Sequence, residues 1–149
     1  MLEALFSVAS TLVLPVWIAL AVAPTHPWTQ RLAAWGVPAL LSVAYVALLI
    51  GGLGRPDAAG GFGSLDEVAA LFANRQSLLA GWIHYLAFDL LVGAWEARDA
   101  ERIGLARWVL VPCLALTFLV GPAGWALYAL ARTARTRTSA GAQAAPTPR

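Results

Sequence analysis

Gly81-Trp82-Ile83-His84-Tyr85-Leu86-Ala87-Phe88-Asp89-Leu90-Leu91-Val92-Gly93 is the stretch that decides the fold. It lies inside an apolar run from Ser77 to Ala97 and places a carboxylate near the centre of a segment long enough to cross a membrane. An Asp at such a position costs roughly 3 kcal/mol on insertion scales, so a chain that keeps one gives it a buried partner or a task. His84 and Tyr85, one turn earlier, supply the groups a task would need.

Composition agrees with a membrane setting. Hydrophobic residues make up 60% of the chain and charged residues only 12%, where soluble domains carry about a quarter. The positive charge is all arginine, without one lysine, and with the abundance of Ala and Gly this reads as a GC-rich bacterial gene. A net charge of +2 gives no electrostatic footprint for nucleic acid. The single cysteine, Cys113, rules out an intrachain disulfide and a Cys-based metal site.

Working outward, four apolar runs approach the roughly 20 residues that span the hydrocarbon: 3–23, 34–53, 77–97 and 108–131. They predict an all-α, integral membrane four-helix bundle over residues 1–131, because a helix in lipid satisfies its own backbone. The first run is read as a membrane helix. Ala21-Val22-Ala23 resembles a cleavage site, but Glu3 stands where a signal peptide is basic and Pro24 follows the cut. Residues 132–149, rich in Arg, Thr, Ala and Pro, are expected to form a disordered basic tail.

The connections differ in kind. Residues 24–31 read as a tight turn and 98–107 as a short charged loop. The glycine-rich segment 51–63 has no Gly-Lys-Ser/Thr and no preceding strand, so it reads as a linker rather than a phosphate loop. Ser64 and Glu67 form a capping-box pattern, and Leu65, Val68, Leu71 and Phe72 share a face, which predicts a short interfacial amphipathic helix before the third span. Four crossings put both termini on one side. Arg55, Arg75 and the tail arginines would then face the cytoplasm of a bacterial inner membrane, against Arg31, Arg98, Arg102 and Arg107. Trp28, Trp35, Trp95 and Trp108 read as anchors at the opposite interface.

On the third helix, His84, Trp95, Phe88, Gly81, Val92, Tyr85, Leu78, Glu96 and Asp89 fall within an arc of about 140°. Leu79, Ile83, Leu86, Ala87, Leu90 and Ala94 lie behind. The expectation is that the polar arc faces the bundle and the apolar back faces lipid. Tyr85 and Asp89 are one turn apart, while His84 and Asp89 share the arc without touching. Tyr45, Ser42 and Thr117 reach the depth of Asp89, and Ser10 and Thr11 that of His84. No arginine does, so Asp89 is expected to be neutral or held by hydroxyl donors. Glu96 is expected to pair at the rim with Arg98 or Arg102. Pro122 would leave the Phe118 carbonyl without its helical donor, and Pro15 that of Thr11. His26 and His84 alone make no closed metal site, and no cofactor is expected.

The chain resembles the ABA DEFICIENT 4-like family. The resemblance rests on Phe72-Ala73-Asn74, on Gly81-Trp82-x-His84-Tyr85-Leu86-Ala87-Phe88-Asp89-Leu90-x-Val92-Gly93-x-Trp95, on Gly121-Pro122-x-Gly124 with Tyr128, and on Pro15-x-Trp17 and Pro24. It covers residues 1 to about 131, and no transit peptide precedes it, as expected of a bacterial relative. The plant member is a plastid membrane protein required for making the carotenoid neoxanthin. The resemblance therefore implies a membrane protein linked to conversion of a carotenoid or other isoprenoid, with membrane lipid or carotenoid as partner and a homo-oligomer or biosynthetic enzyme beside it.

Converting an allylic epoxide into an allenic alcohol is an isomerisation that needs a base and an acid in a dry site and no redox cofactor. His84, Asp89 and Tyr85 are the candidate catalytic residues, with Trp82, Phe88, Tyr45, Thr117 and Tyr128 expected to line the substrate site. Two other readings stay open. One is a noncatalytic pigment- or lipid-binding subunit, in which Asp89 merely glues helices together. The other is a small proton-coupled carrier.

Overall fold

The computed structural model describes residues 1–52 and 60–143, with side chains through Thr138. All its regular structure is helical, and no strand occurs among the described residues. Helix α1 is Leu2–Val22. Helix α2, Pro27–Arg31, starts on a proline at its first position and runs through a wide π-helical turn, Leu32–Gly36, into α3, Val37–Gly52. The turn expected at 24–31 is therefore partly helix. The widened turn ends just before Pro38, whose ring would crowd the Ala34 carbonyl in a regular helix. Helix α4, Leu65–Ala73, is the expected amphipathic helix, and its capping Ser64 Oγ accepts from the Glu67 amide at 3.2 Å. The linker expected over 51–63 lies largely outside the described residues.

Helix α5, Arg75–Arg102, is the axis of the molecule. Its 28 residues extend about 42 Å at 1.5 Å each, more than the hydrocarbon needs, and it packs against every other helix except α2. Together with Leu2–Val22 and Pro27–Gly52 it makes three helices long and apolar enough to cross a membrane. The charged loop expected to start at Arg98 begins only after Arg102, because α5 continues to that residue.

The fourth expected span, 108–131, is not one helix. Helix α6, Arg107–Val120, stops at Gly121, and α7, Pro122–Gln143, turns back along it. Pro122 has no amide hydrogen to continue α6, and Gly121 takes the left-handed conformation (φ 43°) that lets the chain reverse. The direction of α7 is fixed by its contacts. Gly124 lies against Thr117, the Tyr128 hydroxyl donates to Asp99 Oδ2 at 2.8 Å, and Arg135 Nε donates to the Gly104 carbonyl at 3.1 Å. The tip of the hairpin, Gly121, touches Asp89 near the middle of α5. The pair α6–α7 is thus a re-entrant hairpin that enters from the Arg102 end and leaves at the same end.

Two expectations change with it. Residues 132–143 are not a disordered tail: α7 continues to Gln143, and Arg132 Nε donates to Asp99 Oδ2 at 2.7 Å. Residues 144–149 of that tail lie outside the described residues, and the two ends of the described chain lie at opposite ends of α5. The N-terminal Glu3 pairs with Arg75 at the start of α5, whereas Arg132 and Arg135 lie at its finish. Single cysteines at Thr25 and Thr136 are therefore expected to react with an impermeant maleimide from the same face of sealed vesicles, and one at Ser64 from the other. Labelling of Thr25 and Thr136 from opposite faces would return the four-span arrangement.

The faces of α5 are also the reverse of those expected. Leu79, Ile83, Leu86, Ala87, Leu90 and Ala94 are buried against α1 and α3, while Leu78, His84, Phe88 and Trp95 are exposed. A central helix buries its most apolar stripe, and small Ala87 and Ala94 allow its neighbours to approach closely. Within the polar arc the hairpin covers Asp89 and Glu96, and Phe72 of α4 lies against Gly81.

Candidate functional site

The hairpin tip builds the most chemically suggestive site. The conformation of Gly121 brings backbone against the Asp89 carboxyl: a Cβ there would lie 2.9 Å from Oδ1 and 3.1 Å from Oδ2. Asp89 is half-buried, and among the described residues its buried Oδ2 has no hydrogen-bond partner. None of the hydroxyls expected to hold it does so. Tyr85, one turn away on the same helix, donates its hydroxyl to the Phe118 carbonyl at 3.0 Å. That carbonyl is the acceptor expected to be orphaned by Pro122, so the sequence signal and the bond agree. Trp17 packs on Phe118 with ring centroids 5.5 Å apart, and Trp82 on Tyr85 at 5.3 Å, while Trp82 Nε1 donates to Ser10 Oγ at 3.0 Å. Aromatic rings thus flank the Tyr85 hydroxyl and the Phe118 carbonyl, and the unpaired carboxyl oxygen of Asp89 lies one helical turn along α5.

His84 lies elsewhere. Its imidazole stacks on Phe88 at 4.4 Å and lies 5.8 Å from the Tyr45 ring of α3. The three candidate catalytic residues therefore fall into two groups, Tyr85 with Asp89 at the tip and His84 with Tyr45 and Phe88 on the other flank of α5.

Below the tip, two polar layers pin the hairpin to α5. Glu96, expected at the rim, is fully buried, and Thr117 Oγ1 lies 3.1 and 3.2 Å from its two carboxyl oxygens. Thr117 therefore serves Glu96 and not Asp89. Nearer the interface, buried Asp99 accepts from Tyr128, Arg132 and Arg102 (2.5 Å), and Trp95 meets the Tyr128 ring edge-on. Tyr128 is wholly buried, so its role here is structural.

The sequence reading places Glu96 at the rim with Arg98 or Arg102 and gives Asp99 no role. The spacing held a clue, since Glu96 follows Asp89 by two helical turns on the same face. What hid the layers was the reading of 108–131 as a straight span, which carried Tyr128 and Arg132 away from Asp99. Among the described residues no group of three metal-ligating side chains occurs.

A consequence for Thr117 can be measured. Thr117→Val keeps the shape but leaves a buried carboxyl without its partner, at a cost of about 1–3 kcal/mol. The detergent-solubilised protein is expected to melt several degrees lower, and adding Glu96→Leu should restore part of the loss, since removing both partners is far cheaper than removing one. No change in Thr117→Val would mean that the layer contributes nothing to holding the hairpin.

The ABA DEFICIENT 4-like family model matches residues 4–128. No curated protein and no solved structure matches the chain.

Proposed function

The chain belongs to the ABA DEFICIENT 4-like family, and on that premise we propose that it is a membrane isomerase for a carotenoid or closely related isoprenoid. The family relates it to the neoxanthin-synthesis factor, and its long apolar helices support a membrane protein. The observation that supports the finer reading is the unpaired carboxyl oxygen of Asp89 one helical turn from the Tyr85 hydroxyl, whose ring packs on Trp82.

The reaction proposed is balanced within one substrate molecule. Asp89 takes a proton from the chain carbon next to an epoxide, and the C–H electron pair becomes the second double bond of an allene. The adjacent C–O bond breaks, and its oxygen gains a proton from Tyr85, which Asp89 then restores. Both groups act over a distance set by one helical turn, as positioned acid and base must. His84, on the other flank, is given no proton-transfer step.

Orientation follows from the hairpin. Arg31, Arg98, Arg102, Arg107, Arg132, Arg135 and Arg137 gather at one end of the described structure, with Arg75 alone at the other. Positive residues favour the cytoplasm, so this reading puts the C-terminal end there and the N-terminus across the membrane. It replaces the arrangement with both termini cytoplasmic.

Expression in a host that makes epoxy-carotenoids tests the activity. Chromatography of the pigments is expected to show an epoxide depleted and an isomer of equal mass appearing, relative to the empty vector. An unchanged pigment profile would sink the isomerase reading.

A further inference from the structure

Helix α4 buries none of its residues, although it is amphipathic and follows directly from the bundle. Beneath it lies a cavity of about 370 Å³ between α3, α4 and α5, walled by Leu49, Leu71 and Phe72, with Tyr45 and His84 at its inner end. His84 is nine residues into α5, about 13 Å below its start at 1.5 Å per residue. The pocket is open on one side and has room for a ring with its methyl groups.

The polar residues of its lining are Ser77 near the start of α5 and Tyr45 and His84 at the inner end. Among the described residues neither the Tyr45 hydroxyl nor either His84 nitrogen makes a hydrogen bond; both side chains make ring contacts only. At this depth there is little water to satisfy them, and an unpaired polar group in hydrocarbon is costly. Apolar walls with two convergent polar groups at the end are the chemistry of a pocket for a mostly apolar molecule carrying one oxygen. The way in, under an interfacial helix, suits a molecule arriving from the bilayer.

We propose that this cavity binds the oxygenated end ring of an isoprenoid, with His84 and Tyr45 hydrogen-bonding its hydroxyl or carbonyl oxygen. The site is separate from Asp89, on the opposite flank of α5, and selects by ring substituent; it rests on the isoprenoid reading above but not on catalysis. Phe88, stacked under the imidazole, fixes the ring plane of His84.

The test uses the full-length protein in lipid nanodiscs with two probes that share a skeleton, zeaxanthin with hydroxylated rings and β-carotene without oxygen. Wild type is expected to bind zeaxanthin about tenfold more tightly, the worth of one well-made hydrogen bond. His84→Phe and Tyr45→Phe keep the aromatic shape and should each reduce that preference while leaving β-carotene affinity unchanged, which also reports that they fold. Equal affinity of wild type for both pigments would overturn the proposal, as would a preference that survives the double variant. Asp89→Asn should leave the preference intact. A preference without any pigment conversion would remove the isomerase reading and keep this one.

Discussion

Valine in place of Gly124 is expected to lower the melting temperature of the solubilised protein by roughly 10 °C, the largest stability loss of any single apolar substitution in the hairpin. A Cβ at Gly124 would run into the amide nitrogen, Cα and Oγ1 of Thr117. Two of these three atoms are backbone and cannot turn aside, so α6 and α7 must separate. Overpacking costs about 1–3 kcal/mol where side chains can adjust and more where they cannot, and each kcal/mol is worth about 2–4 °C at this chain length. Separation also draws Thr117 from Glu96 and shifts Tyr128 and Arg132 from Asp99, so losses in both polar layers add to the clash. Gly124→Ala should show a smaller loss in the same direction, with the helix content of α1, α3 and α5 retained by circular dichroism. A valine variant that melts with wild type would mean that α6 and α7 do not pack at this glycine.

The hairpin also marks the limit of what the sequence discloses. Hydropathy located α1, α3, α4 and α5 within a few residues, because length and apolar content are one-dimensional properties. It could not distinguish a helix that crosses from two that enter and return, since both are apolar over the same 24 positions. The local signal is nonetheless present: Gly121-Pro122 interrupts the run. The face of α5 is hard to read for a related reason. Burial of polar groups favours the polar arc as the inner face, yet the apolar stripe of Leu79, Ile83, Leu86 and Leu90 packs against α1 and α3, and Glu96 is buried only because the hairpin returns over it. Helical spacing places Tyr85 and Asp89 one turn apart on α5, whereas the contact of His84 with Tyr45 depends on where α3 lies.

Asp89→Asn is expected to reduce pigment conversion at least about a hundredfold, the usual worth of a positioned base, while the melting temperature stays within a degree or two of wild type. The amide keeps the shape of the carboxyl against Gly121, so the tip should close as before. A purely structural Asp89 would need donors from a neighbouring helix, and among the described residues the buried Oδ2 has none. The role of glue belongs instead to Glu96, with Thr117 on both of its oxygens. Asp89→Leu should therefore fold at least as well as wild type, because it removes a buried polar atom without a partner, and should be as inactive as Asp89→Asn. The opposite pattern, conversion surviving in Asp89→Asn and stability collapsing in Asp89→Leu, would show that the carboxyl holds the hairpin tip and leave the proton transfer without a base. A carboxyl whose buried Oδ2 has no partner among the described residues is poised to take a proton from something that enters, and that availability is what the two variants separate from support of the fold.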